Sequence, residues 1–166
     1  GYLRRCLEGQ AVDEEGRLPF HGDETYRFPG YQLFDGREDI TDYVYLHLRS
    51  ADSAFEYVAA AEAMAEMAEA LDKGDEAREF RQAARRVRRV TERYYWQRER
   101  GYYAPAMSDL SGERYRYPFA NINLRPLWIG YGKPSEQRQV DNVLNSLAYL
   151  YRPKTGTART TPACGY

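Results

Sequence analysis

DSAFEYVAAAEAMAEMAEALDK, residues 52–73, repeats its apolar side chains every three or four positions: Ala54, Phe55, Val58, Ala61, Ala65, Ala68 and Leu71, with Met64 and Met67 widening the stripe. That period is one face of an α-helix, so the stretch predicts a long amphipathic helix packed against a partner. Asp52 or Ser50 can cap its start, Gly74 is expected to stop it, and Asp75 can cap a second helix. Through that second helix Phe80, Ala83, Ala84, Val87, Val90 and Tyr94 repeat at the same period. Two such helices joined by a Gly-Asp turn predict an antiparallel hairpin.

The charges of the pair are complementary. The first helix and its turn carry Glu56, Glu62, Glu66, Glu69, Asp72 and Asp75, whereas the second carries Arg78, Arg81, Arg85, Arg86, Arg88, Arg89 and Arg93. Exposed ion pairs contribute only about 0–1 kcal/mol each, so these charges bias pairing and solubility more than they hold the hairpin together. The arginine run thus has a structural explanation that needs no nucleic acid.

Working outward, the pattern changes after Trp96. Residues 101–107 (GYYAPAM) and 114–118 (RYRYP) are short, aromatic and alternating, and they flank SDLSGE, which predicts a β-hairpin with a polar tip. A helix is expected from about Asn121 to Tyr131, ended by Gly130 and Gly132, and another from Ser135 to Tyr151 with Pro134 at its entrance. Val140, Val143, Leu144, Leu147 and Leu150 form the apolar stripe expected of the latter. At the N-terminus Tyr2, Leu3, Cys6 and Leu7 read as the last turns of a helix. Between Tyr31 and Arg49, the alternation of Tyr43, Tyr45 and His47 with Val44, Leu46 and Leu48 predicts an extended segment after the turn Gly36-Arg37-Glu38-Asp39.

Composition narrows the class. A chain of 166 residues fits one domain, and 43% hydrophobic residues with 14% aromatics suffice for a core. A net charge of −1 argues against a chain built to hold polyanions. Arginine outnumbers lysine 21 to 3, which implies no function by itself. Cys6 and Cys164 stand far apart with no Cys/His cluster, so neither a disulfide framework nor a metal site is indicated, and no cofactor is called for. No run approaches the roughly 18 apolar residues of a membrane span. The chain begins without Met and stops at Ala163-Cys164-Gly165-Tyr166, which suggests a piece of something longer.

Chemistry concentrates in residues 18–30, LPFHGDETYRFPG, where two adjacent carboxylates, a histidine and several aromatics share a turn-rich stretch. Carboxylates serve as general acid or base, and aromatic faces stack on the apolar faces of sugar rings. The plainer reading is a helix start, with Asp23 or Thr25 as a cap and the aromatics buried.

Three stretches together resemble part of the six-hairpin (α/α)-toroid glycosidases, a group that includes glucoamylase-like and α-L-rhamnosidase-like enzymes. One is the acidic stretch PFHGDETY, residues 19–26. The second is SADSAFEYV, residues 50–58, leading through the alanine-rich helix to YYWQRERGYY, residues 94–103. The third is FANINLRPLWIGY, residues 119–131, similar to an inner helix ending in a Pro-Leu-x-x-Gly pattern. A toroid of this kind has twelve helices in six hairpins. The five or six read here imply a mainly α fold, about half a barrel of antiparallel helical hairpins with a small β-hairpin, as one partial domain over residues 1–166.

The resemblance implies a carbohydrate substrate, with no nucleic acid or membrane partner; the remainder of the barrel or a second copy would complete the fold. A glycosidase needs one carboxylic acid to protonate the leaving oxygen and a second carboxylate about 5–5.5 Å away for retention or about 6.5–9.5 Å for inversion. Adjacent residues point in different directions, so Asp23 and Glu24 do not fill both roles. The expected assignment is Glu24 as general acid, its pKa raised by burial among Phe20, Tyr26 and Phe28, with Asp23 binding sugar hydroxyls; the reverse stays open. Asp109 and Glu113 at the hairpin tip are candidates for the partner carboxylate. His21, Tyr26, Trp96, Tyr102, Tyr103, Asn121, Arg125 and Trp128 are candidate substrate-binding residues. Arg125 has two readings: gripping a hydroxyl or acidic sugar, or neutralising a carboxylate. A non-catalytic helical-repeat scaffold and a carbohydrate-binding protein without cleavage are the alternatives.

Overall fold

The computed structural model describes residues 4–5, 12–18, 48–108, 111–115, 118, 120–132, 136–152 and 157–158. Its first helix, α1 (Ala51–Ala70), starts where Ser50 turns extended and its hydroxyl accepts the Ser53 N–H at 3.4 Å, with Asp52 at the positive end of the helix dipole. Ala51, Ala54, Phe55, Val58, Ala61, Ala65 and Ala68 are buried and Met64 is partly so, but Met67 and Leu71, also expected on the stripe, are exposed.

The helix ends differently from expectation. Asp72, not glycine, takes the left-handed conformation (φ 57°). Lys73 N–H donates to Ala68 O at 2.8 Å and Asp72 N–H to Glu69 O at 3.0 Å, the paired bonds that close a helix C-terminus over a left-handed residue. Gly74 is instead the first residue of α2 (Gly74–Tyr94), whose cap position is Lys73, and Asp75 lies inside the first turn rather than capping it.

α2 buries Ala77, Phe80, Ala84, Val87 and Thr91 against α1. Small alanines on α1 let the larger side chains of α2 approach, and burial of that seam removes apolar surface from water. Cross-helix ion pairs join Arg81 to Glu69 and Arg88 to Glu62, realising the expected charge complementarity. Arg4, in a helical segment at residues 4–5, lies over the Phe80 ring at 4.9 Å and pairs with Glu76 and Glu79.

Short strands close the open end of this hairpin. β1 (Leu48–Ser50) precedes α1; β2 (Trp96–Gln97) and β3 (Tyr102–Tyr103) follow α2, and then β4 (Ala106–Ser108). β2 pairs antiparallel with β3 around the turn 98–101, and β4 pairs with β1 in the register Leu48↔Ser108, Ser50↔Ala106. The expected hairpin is therefore split. Tyr102 and Tyr103 turn back on Trp96 and Gln97, while only the 106–115 part keeps the polar tip, through Ser108 N–H to Glu113 O and Tyr115 N–H to Ala106 O, both at 2.8 Å. Gly101 makes the tight turn possible: its φ is 68°, and a Cβ there would collide with the Asn145 side-chain amide.

α3 (Ala120–Ile129) and α4 (Gln137–Leu150) form a second antiparallel pair, since Asn123 meets Asn142 while Gly132 lies against Gln139. β5 (Tyr151–Arg152) and β6 (Thr157–Ala158) follow as a two-stranded ribbon. α4 corrects the predicted stripe. Its inward residues are Gln139, Asn142, Ser146 and Leu150, and Leu144 and Leu147 are 60% and 45% exposed. The cause is hydrogen bonding. Asn142 Oδ1 accepts the Tyr103 N–H at 3.2 Å, its Nδ2 donates to Asn123 O at 2.5 Å, and Asn123 Nδ2 donates to Tyr103 O at 2.8 Å. These amides satisfy buried main-chain groups that leucines could not.

The architecture is mainly α, antiparallel helical hairpins with a small β-hairpin, and it fits part of a helical toroid. Among the described residues no helix is long and apolar enough to cross a membrane.

Candidate functional site

Leu18 and β1 bracket residues 19–47, and the fold brings them together. Ser50 N–H donates to Leu18 O at 3.1 Å, and Arg49 reaches Asp13, which also holds Arg17 at 2.8 Å. Asp23, Glu24, His21 and Tyr26 lie within that bracket, outside the described residues; Asp109, beyond β4, is also outside the described residues. The junction of the acidic stretch with the folded body is thus the first turn of α1.

Beside that junction sit two further carboxylates. Asp52 and Glu56 are one helical turn apart on α1, and Arg125 of α3 bridges them, with Nε 3.1 Å from Asp52 Oδ1 and Nη1 bonded to Glu56. The Asp52 and Arg125 side chains are only 16% and 17% exposed, whereas Glu56 reaches solvent. Of the two readings of Arg125, charge neutralisation is the contact present. A cation shared in this way neutralises both acids and leaves carboxylate lone pairs able to accept hydroxyls. In the sequence Asp52 reads as a cap and Glu56 as a surface charge; the signal for more is their i, i+4 spacing at the start of α1.

The aromatic candidates divide by burial. Tyr103 is fully buried, its ring edge-on to Phe55 at 5.2 Å and to Trp96 at 5.0 Å, and Tyr131 joins them 4.6 Å from Phe55. Both tyrosine hydroxyls donate to Glu92 Oε1, at 2.7 and 2.8 Å, and Arg138 pairs with Oε2. Burial, then the neighbouring Glu92 charge, raises both phenols well above their ordinary value. Burial opposes the charge on Arg138, but the Glu92 hydrogen bond and charge outweigh it and raise its pKa. Nothing in the period of α2 marks Glu92, although it is the lone acid in a basic run just before Tyr94-Tyr95-Trp96.

Tyr102 is buried near Tyr149, with ring centroids 6.5 Å apart. Trp96 is half-buried, with Arg138 over its ring at 5.0 Å. Asn121 lies in the first turn of α3. Among the described aromatic candidates Trp128, 75% exposed, is the most open to a ligand. Glu113 is exposed at the polar tip. Thus Tyr102, Tyr103 and Trp96 cluster around β2 and β3, Arg125 stands at the start of α1, and Trp128 faces solvent. Among the described residues no three His, Cys, Asp or Glu side chains converge as metal ligands.

A family model described as Trehalase matches residues 54–161, well over half of the chain. No curated protein is significantly similar to it.

Proposed function

Because the chain belongs to the trehalase family, within the six-hairpin glycosidases, we propose that it takes part in hydrolysing the glycosidic bond of a small α-glucoside, with α,α-trehalose as the first substrate to try. The observation that carries this reading is the family match across α1 to α4, and the bond from Ser50 N–H to Leu18 O brings the two ends of residues 19–47 to the start of α1.

The proposed chemistry uses carboxylates alone. Glu24 donates a proton to the departing sugar oxygen, and Asp23 holds hydroxyls of the same ring. The role requires a carboxyl group that loses hydration in its charged form among apolar neighbours, since that keeps a proton on it near neutral pH. Asp52 and Glu56, both paired with Arg125, are the carboxylates we propose to accept sugar hydroxyls or to serve the water molecule. His21, Tyr26 and Trp128 supply further donors and ring faces for the sugar.

The test is glucose release from α,α-trehalose, run beside α- and β-aryl glucosides, with proton NMR reporting the anomer first formed. Cleavage of trehalose supports the proposal. Saturable binding of trehalose with no turnover replaces it with a carbohydrate-binding role, and no sugar binding replaces it with a scaffold.

A further inference from the structure

At the end of α2 away from the Asp72 turn, six arginines line one cleft of about 790 Å³: Arg89, Arg93, Arg98, Arg100, Arg114 and Arg138. They arrive from separate segments. Arg89 and Arg93 are one turn apart on α2, Arg98 and Arg100 sit in the β2–β3 turn, Arg114 bridges to Met107, and Arg138 belongs to α4. Two carboxylates share the lining, Glu92 and Glu99, so the cleft carries an excess of four positive charges. Glu92 is moreover engaged already, by Tyr103, Tyr131 and Arg138.

Ordinary structural causes cover part of this cluster. Arg93, in the last turn of α2, complements the negative end of the helix dipole, and Arg138 neutralises Glu92. Arg114 donates to the Arg93 carbonyl at that same helix end and Arg100 to the Tyr102 hydroxyl, both at 3.4 Å, whereas neither the dipole nor Glu92 accounts for Arg98 in the β2–β3 turn. Like charges gathered in one concavity repel each other, and a bound anion turns that repulsion into attraction. The planar guanidinium matches phosphate oxygens through paired hydrogen bonds, so several forks around one cavity suit a phosphate group better than a single carboxylate. The volume lies in the range of about 300–1,000 Å³ typical of small-ligand sites. A nucleic acid would call for an extended basic face, whereas the whole chain is near neutral at −1.

We propose that this cleft binds a small molecule bearing one or more phosphate groups, a property that glycoside cleavage does not require. Free phosphates and phosphorylated sugars present the same chemistry to the arginines, and the probes below tell them apart.

Trp96 lines the cleft beneath Arg138 and reports occupancy through its fluorescence. Since the chain has two tryptophans, a Trp128→Phe background isolates its signal. That protein is titrated with inorganic phosphate, pyrophosphate, glucose 6-phosphate and glucose. The proposal expects a saturable change with the three anions at millimolar or lower concentration, none with glucose, and weakening as salt rises. Arg93→Ala with Arg98→Ala, both at exposed positions, weakens pyrophosphate binding at least about tenfold. Arg78→Ala, fifteen residues earlier on α2 and about 22 Å away along its axis, leaves it unchanged. If the double variant loses its circular dichroism, Arg98→Ala alone shows the same direction at smaller size. Tighter binding of glucose 6-phosphate than of phosphate assigns a phosphorylated sugar, and equal binding assigns the phosphate group alone; either upholds the site. Absence of saturation with all three anions, equal weakening by Arg78→Ala, or a DNA duplex displacing pyrophosphate with length-dependent affinity overturns it. Trehalose turnover is not read in these titrations, so they stand or fall apart from the glycosidase proposal.

Discussion

Ser50 donates its backbone N–H to the carbonyl oxygen of Leu18 at 3.1 Å, so the residues on either side of the acidic stretch meet at the start of α1. Leu18 is itself buried, packed into the same core as Phe55 and Val58. Leu18→Ala is expected to lower unfolding free energy by about 2–5 kcal/mol, the cost of a core cavity. Denaturant unfolding checks the magnitude. Sugar turnover, measured where the variant is still folded, is expected to fall as well, because the stretch loses one of its anchors.

The reversed face of α4 makes a prediction that hydropathy alone would invert. Asn142→Leu strands the Tyr103 N–H in the interior, removes the bond to Asn123 O and is expected to cost about 1–3 kcal/mol. Leu147→Gln, on the exposed side, is expected to stay within about 0.5 kcal/mol. Parallel thermal melts of the two variants decide it.

Tyr103 and Tyr131 tie stability to alkaline pH. Their folded pKa values stand above the ordinary 10.0 because burial, then the Glu92 charge, disfavours the phenolate. The unfolded chain therefore releases these protons first. Their contribution is complete below about pH 10 and declines above it, by about 1.4 kcal/mol per pH unit for each tyrosine. Replacing both with Phe is expected to flatten the slope of unfolding free energy between about pH 10 and 11, measured by urea titration.

Asp72 occupies a left-handed backbone position at φ 57°, where a side chain carries a steric penalty. Asp72→Gly is expected to leave stability unchanged or raise it by up to about 1 kcal/mol, and Asp72→Val to lower it by about 1–2 kcal/mol. Melting temperatures of the two variants check the sign.

The α1–α2 hairpin was legible because its apolar period and its contacts are both local. The stop signal misled by two residues, since Gly74 looks like a cap while Asp72 makes the left-handed turn. What the sequence left hidden comes from distant pairing. β4 pairs with β1 across the whole α1–α2 hairpin, and Arg125 reaches back to Asp52 and Glu56. The inward face of α4 is polar because Tyr103 and Asn123 present main-chain groups to it, and no period in α4 itself records those partners. Glu92 is invisible for the same reason: its tyrosines come from β3 and the end of α3.

The most direct test of the catalytic proposal is trehalose hydrolysis by Glu24→Gln compared with Asp23→Asn, kcat and KM measured separately. Loss of the general acid predicts a fall of about 10²–10⁴ in kcat for Glu24→Gln with KM little changed, and a rise mainly in KM for Asp23→Asn. Turnover at the unmodified level in both variants would contradict the assignment of the acidic stretch as the catalytic element.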